Sequence, residues 1–97
     1  VRHGPEIRER VIEAHLVMRV RAAGGVAYKF TSPARRSVPD RIVIFPRRIV
    51  FVEVKRPGGT LTLAQAREHE RLRALGCDVR MIDSRVAIDR FIAEIKS

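Results

Sequence analysis

Apolar residues recur along this chain in two rhythms, one with a helix period and one with a strand period. Ile7, Val11, Ala14 and Met18 fall at helical spacing. Pro5 and Glu6 suit the first turn of that helix, since proline's fixed φ fits it and an acid complements the dipole. Gly24-Gly25 stops the run. Val26 to Thr31 is strand-like, and Ser32 to Val38 is a loop carrying Arg35 and Arg36. Two dense apolar runs follow, Val38 to Phe45 and Arg48 to Lys55, ending at Pro57-Gly58-Gly59. Thr62-Leu63-Ala64-Gln65 has the capping-box pattern and opens a helix through about Leu75, which Gly76 ends. Asp78 to Asp83 is a short strand. Ser84 then caps a last helix with Val86, Ile88, Phe91, Ile92 and Ile95 as apolar positions.

The predicted order is α-β-β-β-α-β-α. Ile42, Ile44, Ile49 and Phe51 occupy one face of the predicted hairpin, and Val43, Phe45, Val50 and Val52 the other. A sheet apolar on both faces needs cover on both, so helices should flank a mixed sheet. No internal repeat or domain boundary is visible, and residues 1–97 read as one α/β domain.

Charge interrupts this pattern where it is costly. Apolar strands rarely carry a Glu and a Lys, yet one run ends in Glu53-Val54-Lys55. Strand alternation puts Glu53 and Lys55 on one face, with Val54 pointing the other way. Pro46 cannot supply the positive φ that the first central residue of a two-residue I′ or II′ turn needs. A four-residue loop on a type I turn is the predicted connection, with Ile44 closing against Ile49. Counting outward then sets Asp40 opposite Glu53; a three-residue loop would break this register. Opposed residues share a face with Cβ atoms about 4.5–5.5 Å apart, where two carboxylates repel by roughly 3–4 kcal/mol at an effective dielectric of 20. A divalent cation between them would remove that cost.

The formal net charge is +9, the pI is near 11.4, and arginine supplies seventeen of the 20 cations. Arginine grips phosphate bidentately, so nucleic acid is the expected partner. An anionic membrane is the rival, but no apolar run approaches the roughly 18 residues of a spanning helix. Arg35, Arg36, Arg41, Arg47, Arg48 and Arg56 cluster around the acidic segment, and Lys29 lies in a strand close to it. Aromatic residues are only 5%, which favours recognition through phosphate and shape over base stacking. The single cysteine, Cys77, excludes an intramolecular disulfide and a cysteine-rich zinc site, and suits a reducing cytoplasm. His3, His15 and His69 show no ligand spacing.

The chain resembles a stand-alone VRR-NUC domain of the PD-(D/E)xK nuclease superfamily from about Glu6 to Ile95. The matching stretches include Gly24-Gly25 with Tyr28-Lys29-Phe30, Ser32-Pro33, and Val38-Pro39-Asp40-Arg41. Further on they include Phe51-Val52-Glu53-Val54-Lys55-Arg56-Pro57-Gly58, Leu61 to Gln65, and Leu72 to Gly76. The resemblance implies a restriction-endonuclease-like αβββαβ core and Mg²⁺- or Mn²⁺-dependent hydrolysis of DNA phosphodiesters. It implies Asp40 and Glu53 as metal ligands with the Val54 carbonyl, and Lys55 as the residue that orients or deprotonates water. Gln65 corresponds to the family's glutamine on the following helix, and Glu13 to an acid on the first helix that completes the metal shell. Ala34 and Ser37 stand where the family usually has glycine.

Small stand-alone members resemble enzymes that resolve four-way (Holliday) junctions as symmetric dimers, which would place this chain in DNA repair or replication. Lys29, Arg35, Arg36, Arg41 and Arg56 are then the expected DNA contacts. Other readings fit parts of the pattern. Asp is common after Pro in turns, Gln65 suits its cap for local reasons, and Glu13 fits a surface ion pair. A flap or restriction-like endonuclease, a non-catalytic DNA-binding module and a basic protein-interaction module are the functional rivals.

Overall fold

A computed structural model describes residues 8–97. The expected helix start at Gly4-Pro5-Glu6, the apolar Ile7 and His3 lie outside the described residues. The elements run α1 (Glu9–Ala22), β1 (Val26–Lys29), β2 (Arg41–Phe45), β3 (Arg48–Val54), α2 (Leu63–Ala74), β4 (Asp78–Ile82) and α3 (Arg85–Lys96). The order is the predicted one. The sheet is ordered β1-β2-β3-β4, with antiparallel pairs except β3 with β4, which are parallel. A parallel pair needs a crossover between its strands, and α2 supplies it.

The main core lies on one sheet face. Ile12, Leu16 and Val20 of α1 and Ile88, Phe91 and Ile92 of α3 pack on Val43, Phe45, Val50, Val52 and Val54. This corrects the apolar stripe expected on α1. Val11 and Met18 face outward, at 40% and 53% exposure, while Ile12, Leu16 and Val20 are fully buried. Both stripes have helical spacing, so periodicity alone does not choose between them; the neighbouring sheet and α3 do. Gly24 ends α1 at φ +93, and the Gly25 amide returns to the Val20 carbonyl at 2.9 Å. A Cβ on Gly25 would sit 2.6 Å from the Ile44 carbonyl oxygen, so only glycine lets α1 descend this close to β2.

The hairpin register is as predicted, with Ile44 opposite Ile49, but its turn is tighter. Phe45 also pairs with Arg48, leaving only Pro46 and Arg47 between the strands. Arg47 takes φ +64, which the second central residue of a type I turn does not have. Proline at the first central position excluded the primed turns but not this one.

On the second sheet face α2 packs against β4 and reaches the C-terminal end of β3 at Glu53. Ile49, at the other end of that strand, remains 55% exposed. Thr62 caps α2 with a complete capping box, its side chain accepting from the Gln65 amide. Ser84 caps α3 through the Ala87 amide.

Candidate active site

The ladder of β2 and β3 carries two acids to the end of the sheet that α2 covers. Arg41 pairs with Val52, so the next step outward sets Asp40 against Glu53. Pro39 is fully buried and anchors the approach to Asp40. Asp40 Oδ2 accepts a 2.9 Å hydrogen bond from the Val54 amide, which fixes its carboxylate at the strand edge. In an extended strand the N–H and C=O of one residue point the same way, so the Val54 carbonyl is directed to the Asp40 side.

Glu53 is buried at 2% exposure. Burial, and then the negative charge and hydrogen bonding of Asp40, push its carboxyl up to about 8; Lys55 pulls the other way, and Glu9 adds a smaller upward push. Its Oε2 accepts from Gln65 Nε2 at 3.3 Å and lies 3.8 Å from Lys55 Nζ. Its Oε1 is buried without a hydrogen-bond partner among the described residues. Gln65 links three groups at once. Its Oε1 accepts from Lys55 Nζ at 2.9 Å and from the Thr62 amide at 3.0 Å, while its Nε2 serves Glu53. The local capping function and the contact with the acidic pair thus coexist in one side chain.

His69 completes the cluster, and sequence spacing did not single it out. It is fully buried, its Nε2 lies 3.5 Å from Glu53 Oε1, and among the described residues neither ring nitrogen has a hydrogen-bond partner. Burial, followed by the charges of Arg73 and Lys55, lowers its pKa and keeps the ring neutral. The available signal was its position four residues after Gln65, on the same side of α2.

Glu13 stands elsewhere. Its Oε2 accepts from Arg41 Nε at 2.8 Å and lies 3.9 Å from Lys29 Nζ. Register explains this: Lys29, Arg41 and Val52 share the α1 face of the sheet, opposite to Asp40 and Glu53. Among the described residues no three His, Cys, Asp or Glu side chains form a group able to hold a metal. The α1 acid whose field reaches Glu53 is Glu9, one turn before Glu13.

The basic residues divide as well. Arg41 is turned inward, also donating to the Ala27 carbonyl at 3.1 Å, and so braces β2 against α1 and β1. Arg48 reaches Asp78 and Glu94, roughly 17 Å along β3 from Glu53. Lys29, Arg35, Arg36 and Arg56 remain exposed.

The solved structure of a VRR_NUC domain superposes on this arrangement with a TM-score of 0.82 and 34% identity, covering 88% of this chain and 94% of that one. The chain belongs to the VRR-NUC nuclease family. A protein named "Putative nuclease p44", from Acyrthosiphon pisum secondary endosymbiont phage 1, is 58% identical over 79 residues, covering 80% of this chain and 85% of its own length. No protein-family model matches the chain. The mixed four-stranded sheet with its three helices is thus the VRR-NUC fold, and Asp40, Glu53, Lys55 and Gln65 stand together at one end of it.

Proposed function

We propose that this VRR-NUC chain is a Mg²⁺- or Mn²⁺-dependent endonuclease that hydrolyses phosphodiester bonds in structured DNA, with four-way junctions as its substrate. The observation that carries this reading is the pair Asp40 and Glu53, meeting across the hairpin with Glu53 Oε1 buried and, among the described residues, unpartnered. A carboxyl that holds its proton because it is buried, and because a second carboxylate adjoins it, is short of positive charge. Oxygen donors of this kind fit a hard divalent cation. Asp40, Glu53 and the Val54 carbonyl would hold it; Glu13, tied to Arg41, is not among the residues drawn to that point. When bound, such an ion supplies Lewis acidity toward the phosphate and lowers the pKa of water.

The protein groups do the positioning. Gln65 holds Lys55 Nζ beside Glu53, so the amine faces the space next to both acids. As an ammonium, Lys55 stabilises charge growing on phosphate oxygens; as an amine, it accepts the proton of the attacking water. Exposed Lys29, Arg35, Arg36 and Arg56 draw in the anionic substrate. Cutting a junction at two matched strands takes two sites, so a two-fold dimer belongs to the proposal. A cytoplasmic location belongs to it too, since the one cysteine is free. Among the described residues no helix is long and apolar enough to cross a membrane.

The test is cleavage of labelled four-way junctions, flaps and linear duplexes with Mg²⁺, Mn²⁺ or EDTA, with Asp40→Asn as control. The proposal expects metal-dependent cleavage, fastest on the junction, and at least a hundredfold loss in the variant. Equal cleavage by the variant, or in EDTA, overturns the mechanism. Faster cleavage of flaps or duplexes overturns the substrate.

A further inference from the structure

A second charged feature lies beside the acidic site. Loop residues Arg35, Arg36 and Ser37 face α2 residues Ala64, Arg67, Glu68 and Arg71 across a cleft of about 320 Å³. The four α2 positions follow the i, i+3, i+4, i+7 pattern, one strip around the helix from Gln65 and His69. Glu68 is the buried centre, at 5% exposure. It accepts from Arg35 Nη1 at 3.3 Å and from Arg71 Nε at 3.2 Å. A buried carboxylate needs such partners, and two arginines are more than one charge requires. Each guanidinium has five N–H donors, so most of those on Arg35 and Arg71 remain available to the cleft. Both side chains are 53% exposed. Arg36 and Arg67 make no ion pair among the described residues and add two further cations. The lining therefore carries four positive charges against one negative.

We propose that this cleft binds a backbone phosphate of the DNA flanking the scissile bond, with Glu68 as the tether that pre-orients Arg35 and Arg71. The proposal rests on the nuclease reading and adds a substrate contact to it. Its placement gives the spacing. Arg71 lies six residues beyond Gln65, about 9 Å along the helix axis. Arg36 is four residues before Asp40, at most roughly 14 Å away along the chain. At about 3.4 Å of duplex axis per nucleotide, the bound phosphate is roughly three to four nucleotides from the cut. Arginine forks match phosphate oxygens, and a fixed tether reduces the ordering cost of binding.

The experiment measures binding of a fluorescent duplex oligonucleotide in EDTA, where cleavage is absent, from 50 to 200 mM KCl. The chain is compared with Arg36→Ala/Arg67→Ala and with Arg85→Ala/Arg90→Ala, which removes two exposed charges from α3 on the other sheet face. Each phosphate contact contributes about 0.9 to the slope of log affinity against log salt. The cleft variant should lower that slope by about 0.9, the share of the one phosphate, so its affinity loss across this range shrinks roughly 3.5-fold, while the α3 variant keeps the slope of the parent. An unchanged slope in the cleft variant overturns the proposal and leaves the nuclease reading standing. Equal reductions in both variants overturn it too, because net charge alone then accounts for binding. If no divalent metal supports cleavage by the parent chain but the slope still falls only in the cleft variant, the nuclease reading fails and the phosphate cleft stands. Circular dichroism melts of both variants, expected to match the parent, confirm that folding is intact.

Discussion

At the scale of single residues, Glu53 carries a conflict that the rest of the site resolves. Without a cation, burial and Asp40 raise its carboxyl to about 8, so at neutral pH the side chain keeps its proton. An unfolded glutamate titrates near 4.5, so between these values the folded state binds more protons. The stabilisation is full below the lower value and is lost as pH rises through the upper one. Metal-free protein should therefore melt at progressively lower temperature from pH 5 to 8.5, with a slope of at most about 1.4 kcal/mol per pH unit. Glu53→Gln should flatten that slope; an identical slope in the variant would show that another group is responsible. His69 offers a separate test. Two buried ring nitrogens without partners are costly, so His69→Leu should leave metal-free stability unchanged or slightly raised. A group that steadies a metal-binding carboxylate is commonly worth about 10–100-fold in metal affinity. The same variant should therefore bind Mn²⁺ at least about tenfold more weakly by calorimetry. Loss of stability with unchanged Mn²⁺ affinity would mark His69 as packing only.

Elements show why some of this was readable from sequence and some was not. The acidic pairing was readable because strand alternation fixes faces, and the sum of paired positions survived a different turn. The turn itself was not, because an arginine at φ +64 leaves no sequence signature of the kind glycine does. On α1, two apolar stripes had helical spacing, and only packing against the sheet selects Ile12, Leu16 and Val20. The pairing of Glu13 was not readable for a related reason: a helix register places acids every turn, and tertiary contact decides that Arg41 takes this one. The capping box at Thr62 was fully legible, since its hydrogen bonds are local. It also separates structure from chemistry at Gln65. Gln65→Glu keeps a cap acceptor, so the melting temperature should change little, by less than about 1 kcal/mol of stability. It replaces the amide that donates to Glu53 with a third carboxylate, so cleavage should fall at least tenfold. Retained cleavage at full rate would remove Gln65 from the site.

For the molecule as a whole, the two sheet faces divide the work. One face, under α1 and α3, holds the apolar core and supplies rigidity. The other, where α2 packs on β4 and reaches the end of β3, holds the polar cluster of Asp40, Glu53, Lys55, Gln65 and His69. Fold class followed from the alternation of periods along the chain, and a basic surface followed from the net charge of +9. His69 did not, because its contact with Glu53 spans sixteen positions that only the crossover from β3 through α2 brings together. The charge distribution is similarly tertiary: Arg41 is tied to Glu13 and Arg48 to Asp78 and Glu94, whereas Arg36 and Arg56 face solvent and Arg35, though exposed, is tethered to buried Glu68.

Calorimetric titration of Mn²⁺ at pH 7 in buffers of different ionisation enthalpy tests the shared-cation site most directly. Binding should release about one proton per ion, since Glu53 is protonated beforehand, and both Asp40→Asn and Glu53→Gln should bind far more weakly. Unaltered Mn²⁺ affinity in the two variants, with no proton released by the parent chain, would contradict the account.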